Sequence, residues 1–161
     1  MKKEMIIRTA YKCDREDIVD MLMEYFHETI YSKSLTPNRE RVGVLVDLAI
    51  EQDRAYIVRS LDDELAAYMA INPVYTYYDQ PEMDIEIFVV HPDFRGTGAS
   101  RVMVDVVKLK SEQLGCGVIY AQCGSGINEF KNDQLWRNLF TKKGFHILGT
   151  ELVFFPDLTK H

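Results

Sequence analysis

Apolar residues recur along the chain at two periods, and the switches between them mark out the elements. Met5 to Thr9 reads as a short strand. After Asp14, a helix N-cap type, Ile18, Met21, Leu22, Tyr25 and Phe26 follow the i, i+3, i+4, i+7, i+8 stripe of an amphipathic helix. His27 to Ser34 breaks that stripe. Thr36 then predicts a cap and Pro37 a first helical position, with Val42, Leu45, Leu48 and Ala49 on the buried face. Arg54 to Ser60 and Leu65 to Ile71 read as hairpin strands around an acidic turn, and Tyr75 to Pro81 as a loop. Val118 to Cys123 reads as a strand and 124–126 as a loop. The next predicted helix runs to about Lys143, with Leu135, Trp136, Leu139 and Phe140 on its apolar face and Gly144 as its breaker. Phe145 to Phe155 predicts one or two closing strands. The order is β, α, α, β, β, β, α, β, α, β, with room for one more strand. It predicts an α/β chain with a mixed sheet and helices on both faces.

The densest signal lies between Asp84 and Arg101. Ile85, Ile87, Phe88, Val89 and Val90 form a strand that Pro92 stops. Arg95-Gly96-Thr97-Gly98 follows as a turn, and Val102, Met103, Val106 and Val107 return at helical spacing. Strand, glycine turn and helix start together make an anion site. The first N–H groups of a helix lack intrahelical partners, the dipole is positive there, and glycine admits a close backbone approach. A dinucleotide fingerprint needs a third glycine where Arg101 stands, and a Walker loop needs a Gly-Lys pair that is absent.

Length and charge narrow the partners. A chain of 161 residues suits one domain over 1–161 with a sizeable core. The net charge of −6 disfavours general nucleic-acid binding, so an anionic ligand must be held by local N–H groups and Arg95. No apolar run reaches the roughly 20 residues of a membrane span, and the start does not read as a signal peptide. Cys13, Cys116 and Cys123 show neither disulfide nor metal spacing, which fits a reducing cytoplasm.

Arg95-Gly96-Thr97-Gly98-Ala99, preceded by a strand ending Val-His-Pro, resembles the acetyl-CoA loop of the GNAT acetyltransferases, Gln/Arg-x-x-Gly-x-Gly/Ala. Ser100 stands where that family prefers Gly or Ala. The ending Phe140-Thr141-Lys142-Lys143-Gly144-Phe145 is similar to the family's Tyr-x-x-x-Gly-Phe, and Ile-Ile-Arg-x-Ala before a helix resembles its beginning. The resemblance covers nearly the whole chain. It implies a mostly antiparallel, twisted sheet of six to seven strands flanked by four helices. It also implies transfer of an acetyl group from acetyl-CoA directly to a primary amine, with no metal. A small-molecule amine, a protein lysine and an α-amine are all open as acceptors. A GNAT-like module that binds CoA or a partner without turnover is the alternative.

By the same resemblance, Phe88, Val89 and Val90 hold the acetyl and pantetheine end, and a bulge in that strand frees an N–H for the carbonyl. Arg95, Gly96, Thr97, Gly98, Ala99 and Ser100 surround the pyrophosphate. A surface ion pair is an equal reading for Arg95. Glu86 is the candidate base and Asp84 the reserve. The two share a strand face unless a bulge lies between them; solvent-facing carboxylates paired to a neighbouring strand are the alternative. Asp133 stands where the family often places an asparagine against pantetheine, and it reads equally as a helix-surface aspartate. Phe140 keeps the ring but not the hydroxyl of the family's acid, so its ring packs on pantetheine or the core. His27, Glu28, Tyr31, Tyr75, Tyr77 and Tyr78 sit in loops that wall the acceptor in this family. Tyrosines with an acidic rim suit a cationic amine, or else they pack a core or a homodimer surface.

Overall fold

A computed structural model describes residues 4–123, 125–127 and 131–149. The elements are β1 (Met5–Thr9), α1 (Arg15–Glu28), α2 (Arg39–Glu51), β2 (Ala55–Ser60), β3 (Leu65–Val74), β4 (Glu82–Val90), α3 (Ala99–Gln113), β5 (Val118–Ala121) and α4 (Lys131–Lys142). The sheet runs β1-β2-β3-β4-β5. The first three pairings are antiparallel and β4–β5 is parallel, joined by α3. Among the described residues the sheet has five strands rather than six or seven. Residues 145–149 carry no strand, and the rest of the predicted Phe145 to Phe155 segment lies outside the described residues.

The period-2 pattern of the strands feeds two cores, one on each face. Ile18, Val19, Leu22, Val46, Ile57, Tyr68 and Val89 pack α1 and α2 on one side. Val58, Met69, Met83, Ile85, Val90, Met103, Val104 and Val107 pack α3 on the other. Helix α2 starts later than the Thr36–Pro37 signal predicts. Asn38 is its N-cap, and its side chain accepts from the Arg41 N–H at 3.0 Å. Asp14 precedes α1 but does not cap it with its side chain. Its carboxylate instead takes Arg8, Arg59 and the Tyr11 N–H.

One irregularity shapes the centre of the sheet. Opposite β4, Ala70 pairs with Ile87 but Ile71 pairs with Ile85, so Glu86 is an extra residue. The parity of β4 reverses there. Met83 and Ile85 face the α3 core, as do Phe88 and Val90 beyond the bulge, while Ile87 and Val89 face α1 and α2. Pairing with β5 covers only Glu82 to Ile85. Among the described residues β4 has a free edge from the bulge onward, and the gap beyond the end of β5 becomes a cleft.

Candidate active site

The turn into α3 is built as its sequence requires. Gly96 has φ +82° and Gly98 φ +102°, the left-handed region in which a side chain is strained. A Cβ at either position would meet no heavy atom within 4 Å, so the space in front of the turn is open. The Thr97 hydroxyl donates to the Phe94 carbonyl at 2.7 Å and stiffens the turn. Gly98 is the N-cap of α3 and offers no side-chain cap. Among the described residues, the N–H groups of Gly96, Gly98, Ala99 and Ser100 donate to no protein acceptor. Free N–H groups at a helix start are able to hold a phosphate.

The cleft beyond β5 has a volume of about 220 Å³. Ile85, Glu86, Ile87 and Phe88 form one wall, and Ala121, Gln122, Cys123 and Ser125 the other. Tyr25, Phe26 and Tyr31 close it on the α1 side, and Asp133, Trp136 and Phe140 on the α4 side. The α4 stripe predicted as apolar is an aromatic stack here. Phe88 and Trp136 have ring centroids 4.5 Å apart, and Phe140 meets Phe145 edge-on at 4.9 Å. Val89 and Val90 are buried, so only their backbone is available to a ligand.

Glu86 lies in the cleft wall, and its Oε2 accepts from Arg54 Nη1 at 2.9 Å. Arg54 also donates to the Ile71 carbonyl at 2.8 Å, which ties the ion pair to β3 beside the bulge. Asp84 does not line the cleft. Burial and then the nearby charge of Glu86 push its carboxyl above the usual range. Burial, then the Asp133 charge, pushes the Tyr25 hydroxyl up to about 12. Tyr25 therefore keeps its proton near neutrality.

Asp133 is neither a surface residue nor a free ligand. It is 4% exposed, and it accepts from Ser125 N–H at 2.9 Å, Ser125 Oγ at 2.6 Å and Gly126 N–H at 2.8 Å. Its carboxylate holds the loop after β5 at the cleft mouth. Arg95 pairs with Glu28 at 3.1 Å, a bond between the α3 turn and the end of α1.

The substrate loops divide. Tyr31 reaches the cleft; His27 is exposed on the last turn of α1 and does not. Tyr75, Tyr77 and Tyr78 are 74%, 97% and 66% exposed, and none lines the cleft. The reason is strand length. Strand β3 continues to Val74, three residues beyond the predicted Ile71, which carries the loop to the start of β4, away from the bulge. Tyr25, Phe26 and Trp136 are cleft residues that the sequence pattern assigns to the apolar faces of helices. Their only signal is their aromatic character on those faces.

A family model described as acetyltransferase (GNAT) family matches residues 15–145. Three solved structures share the fold. An aminoglycoside N-acetyltransferase AAC(6')-Iy in complex with CoA has TM-score 0.71 and 13% identity, over 98% of this chain and 97% of that one. The aminoglycoside 6'-N-acetyltransferase AAC(6')-Ih from Acinetobacter baumannii has TM-score 0.68 and 15% identity, over 96% and 99%. A ribosomal-protein-alanine N-acetyltransferase from Brucella melitensis has TM-score 0.66 and 15% identity, over 94% and 99%. A comparison with curated proteins finds no match.

Proposed function

The chain belongs to the GNAT acetyltransferase family, and on that premise we propose that it moves the acetyl group of acetyl-CoA directly onto a primary amine. The observation that carries this reading is the bulge at Glu86, which opens β4 from β5 beside a helix that starts on two left-handed glycines. The N–H groups from Gly96 to Ser100 suit a pyrophosphate, and the aromatic walls suit the thin, uncharged arm of pantetheine. Acetyl-CoA supplies a thioester whose carbonyl carbon accepts the amine nitrogen. In this reading, backbone N–H groups on the free edge of β4 take up charge developing on the carbonyl oxygen.

The acceptor amine must arrive without its proton. Glu86 is the carboxylate in the cleft wall, and Arg54 holds it in place. It takes that proton directly or through a water. The departing thiolate has an ordinary pKa of about 8.5, so it leaves near neutral pH without a strong acid. Phe140 cannot protonate it, but the hydroxyls of Tyr25 and Tyr31 line the same cleft. The two aminoglycoside acetyltransferases act on small amines and the third neighbour on a ribosomal protein; the acidic, aromatic cleft rim favours a cationic small amine. Glu86→Gln is expected to lower kcat about 100-fold, the lower end of general-base effects, with acetyl-CoA affinity unchanged. Steady-state kinetics against pH check it. Turnover that keeps its wild-type pH profile would move the base to another group.

A further inference from the structure

A second cavity, of about 250 Å³, opens at the start of β4. It is lined by Tyr78, Gln80, Pro81, Glu82, Gly117, Val118 and Tyr120. Glu82 is only 8% exposed, and its two oxygens receive hydroxyls alone: Thr76 Oγ1 at 2.6 Å and Tyr120 Oη at 3.4 Å. Three carboxylates are buried among the described residues. Asp14 has two arginines, and Asp133 has two N–H groups and a hydroxyl. Glu82 has no ion pair within the described residues. A buried carboxylate with no ion pair offers its oxygens to a cation. The tyrosine rings supply faces that attract one. The Tyr120 hydroxyl is itself pushed up, first by the proximity of Glu82, which lines the same cavity.

We propose that this cavity is a subsite for an alkylammonium group, and that it takes the distal cation of an acceptor whose other amine is acetylated in the cleft. The inference rests on the acetyl-transfer reading for its second half only. Glu82 and Glu86 stand on one strand, four residues apart, a span of about 13 Å at roughly 3.3 Å per residue. Asp84 stands between them, and with Glu82 it lies on the face of β4 opposite the α3 core that holds Met83 and Ile85. An extended chain with an amine at each end can therefore join the cavity to the cleft. The tyrosine-rich loop acquires a role here that it lacks at the cleft: Thr76 orients Glu82, and Tyr78 walls the cation.

The test compares 1,10-diaminodecane with 10-amino-1-decanol, which replaces the distal ammonium with a hydroxyl, and with 1,4-diaminobutane, which is too short. With acetyl-CoA saturating, kcat/KM for the long diamine should exceed that for the amino alcohol by about ten-fold or more, the scale of a charge-assisted bond. Glu82→Gln should erase that advantage and leave the amino alcohol rate unchanged. Tyr78→Ala, at an exposed loop position, should reduce the advantage by about three-fold, and it carries the test if Glu82→Gln does not fold. Equal rates for diamine and amino alcohol, or an advantage that survives both substitutions, overturn the subsite. Calorimetry with the diamine separates the two readings. Glu82-dependent binding without any turnover keeps the cavity and sinks acetyl transfer. A peptide with two separated lysines, compared with the diamine, assigns the cation to a protein or to a free amine; a Glu82-dependent preference for either supports the subsite.

Discussion

Gly98→Asp is expected to weaken acetyl-CoA binding by about 1,000-fold while the protein stays folded. Two causes combine. Position 98 has φ +102°, so any side chain strains the turn. The aspartate also places a negative charge where the pyrophosphate should meet the start of α3. Losing two charge-assisted bonds of about 2 kcal/mol each gives that fold-change. A clash within the protein is not a cause, because an added Cβ meets nothing within 4 Å. Gly98→Ala isolates the strain and should cost about five-fold, from about 1 kcal/mol of left-handed backbone. Calorimetry with CoA measures both, and thermal unfolding checks the fold. If aspartate and alanine weaken binding equally, the anion does not sit at this turn.

Asp14→Ala is expected to lower stability at neutral pH by about 3 kcal/mol, the cost of breaking a buried ion pair. Asp14 Oδ2 accepts from Arg8 Nη1 at 2.7 Å, and Oδ1 from Arg59 Nη2 at 2.8 Å. The side chain of Arg59 is 9% exposed, and among the described residues it retains only Asp17, Asp63 and the Asp63 carbonyl when Asp14 is lost. The same site sets a pH dependence. Burial pushes the Asp14 carboxyl up, but hydrogen bonds from Arg8, the Tyr11 N–H and Arg59 outweigh it and lower the carboxyl to about 2. A group depressed in the folded state adds stability that is fully present above its unfolded value, near 4. That stability is lost as pH falls through about 2. The contribution is about 2 kcal/mol, from a carboxyl lowered to about 2 in the folded state. Urea unfolding of wild type and Asp14→Ala should therefore converge between pH 4 and pH 2. A gap that stays constant over that range would assign the effect to packing instead.

Much of the candidate site is legible before any folding, because its parts are local. The β-branched run, Pro92 and the paired glycines lie within 20 residues, and each acts on its own neighbours. The Tyr75 to Tyr78 loop was legible as unusual, but not as remote from the cleft. Its place depends on how far β3 runs before it turns, and Asn72 to Val74 extend that strand only because β4 pairs with them. Asp133 was ambiguous for a similar reason. A carboxylate on the first turn of a helix looks like surface until the Ser125 and Gly126 N–H groups are brought to it.

By itself the sequence determined the order of elements, the two-faced sheet and the glycine turn into α3, since each follows from periodicity and backbone preference over a few residues. The tertiary structure decided which charges meet. Arg95 and Glu28, 67 positions apart, pair across the turn. Arg54 and Glu86, 32 positions apart, pair at the bulge. The bulge has no mark of its own in the sequence, because an extra residue is defined only against a partner strand. That single register shift sends Phe88 toward Trp136 and opens the cleft beside Glu86, while Glu82 stays in a separate cavity at the other end of the same strand.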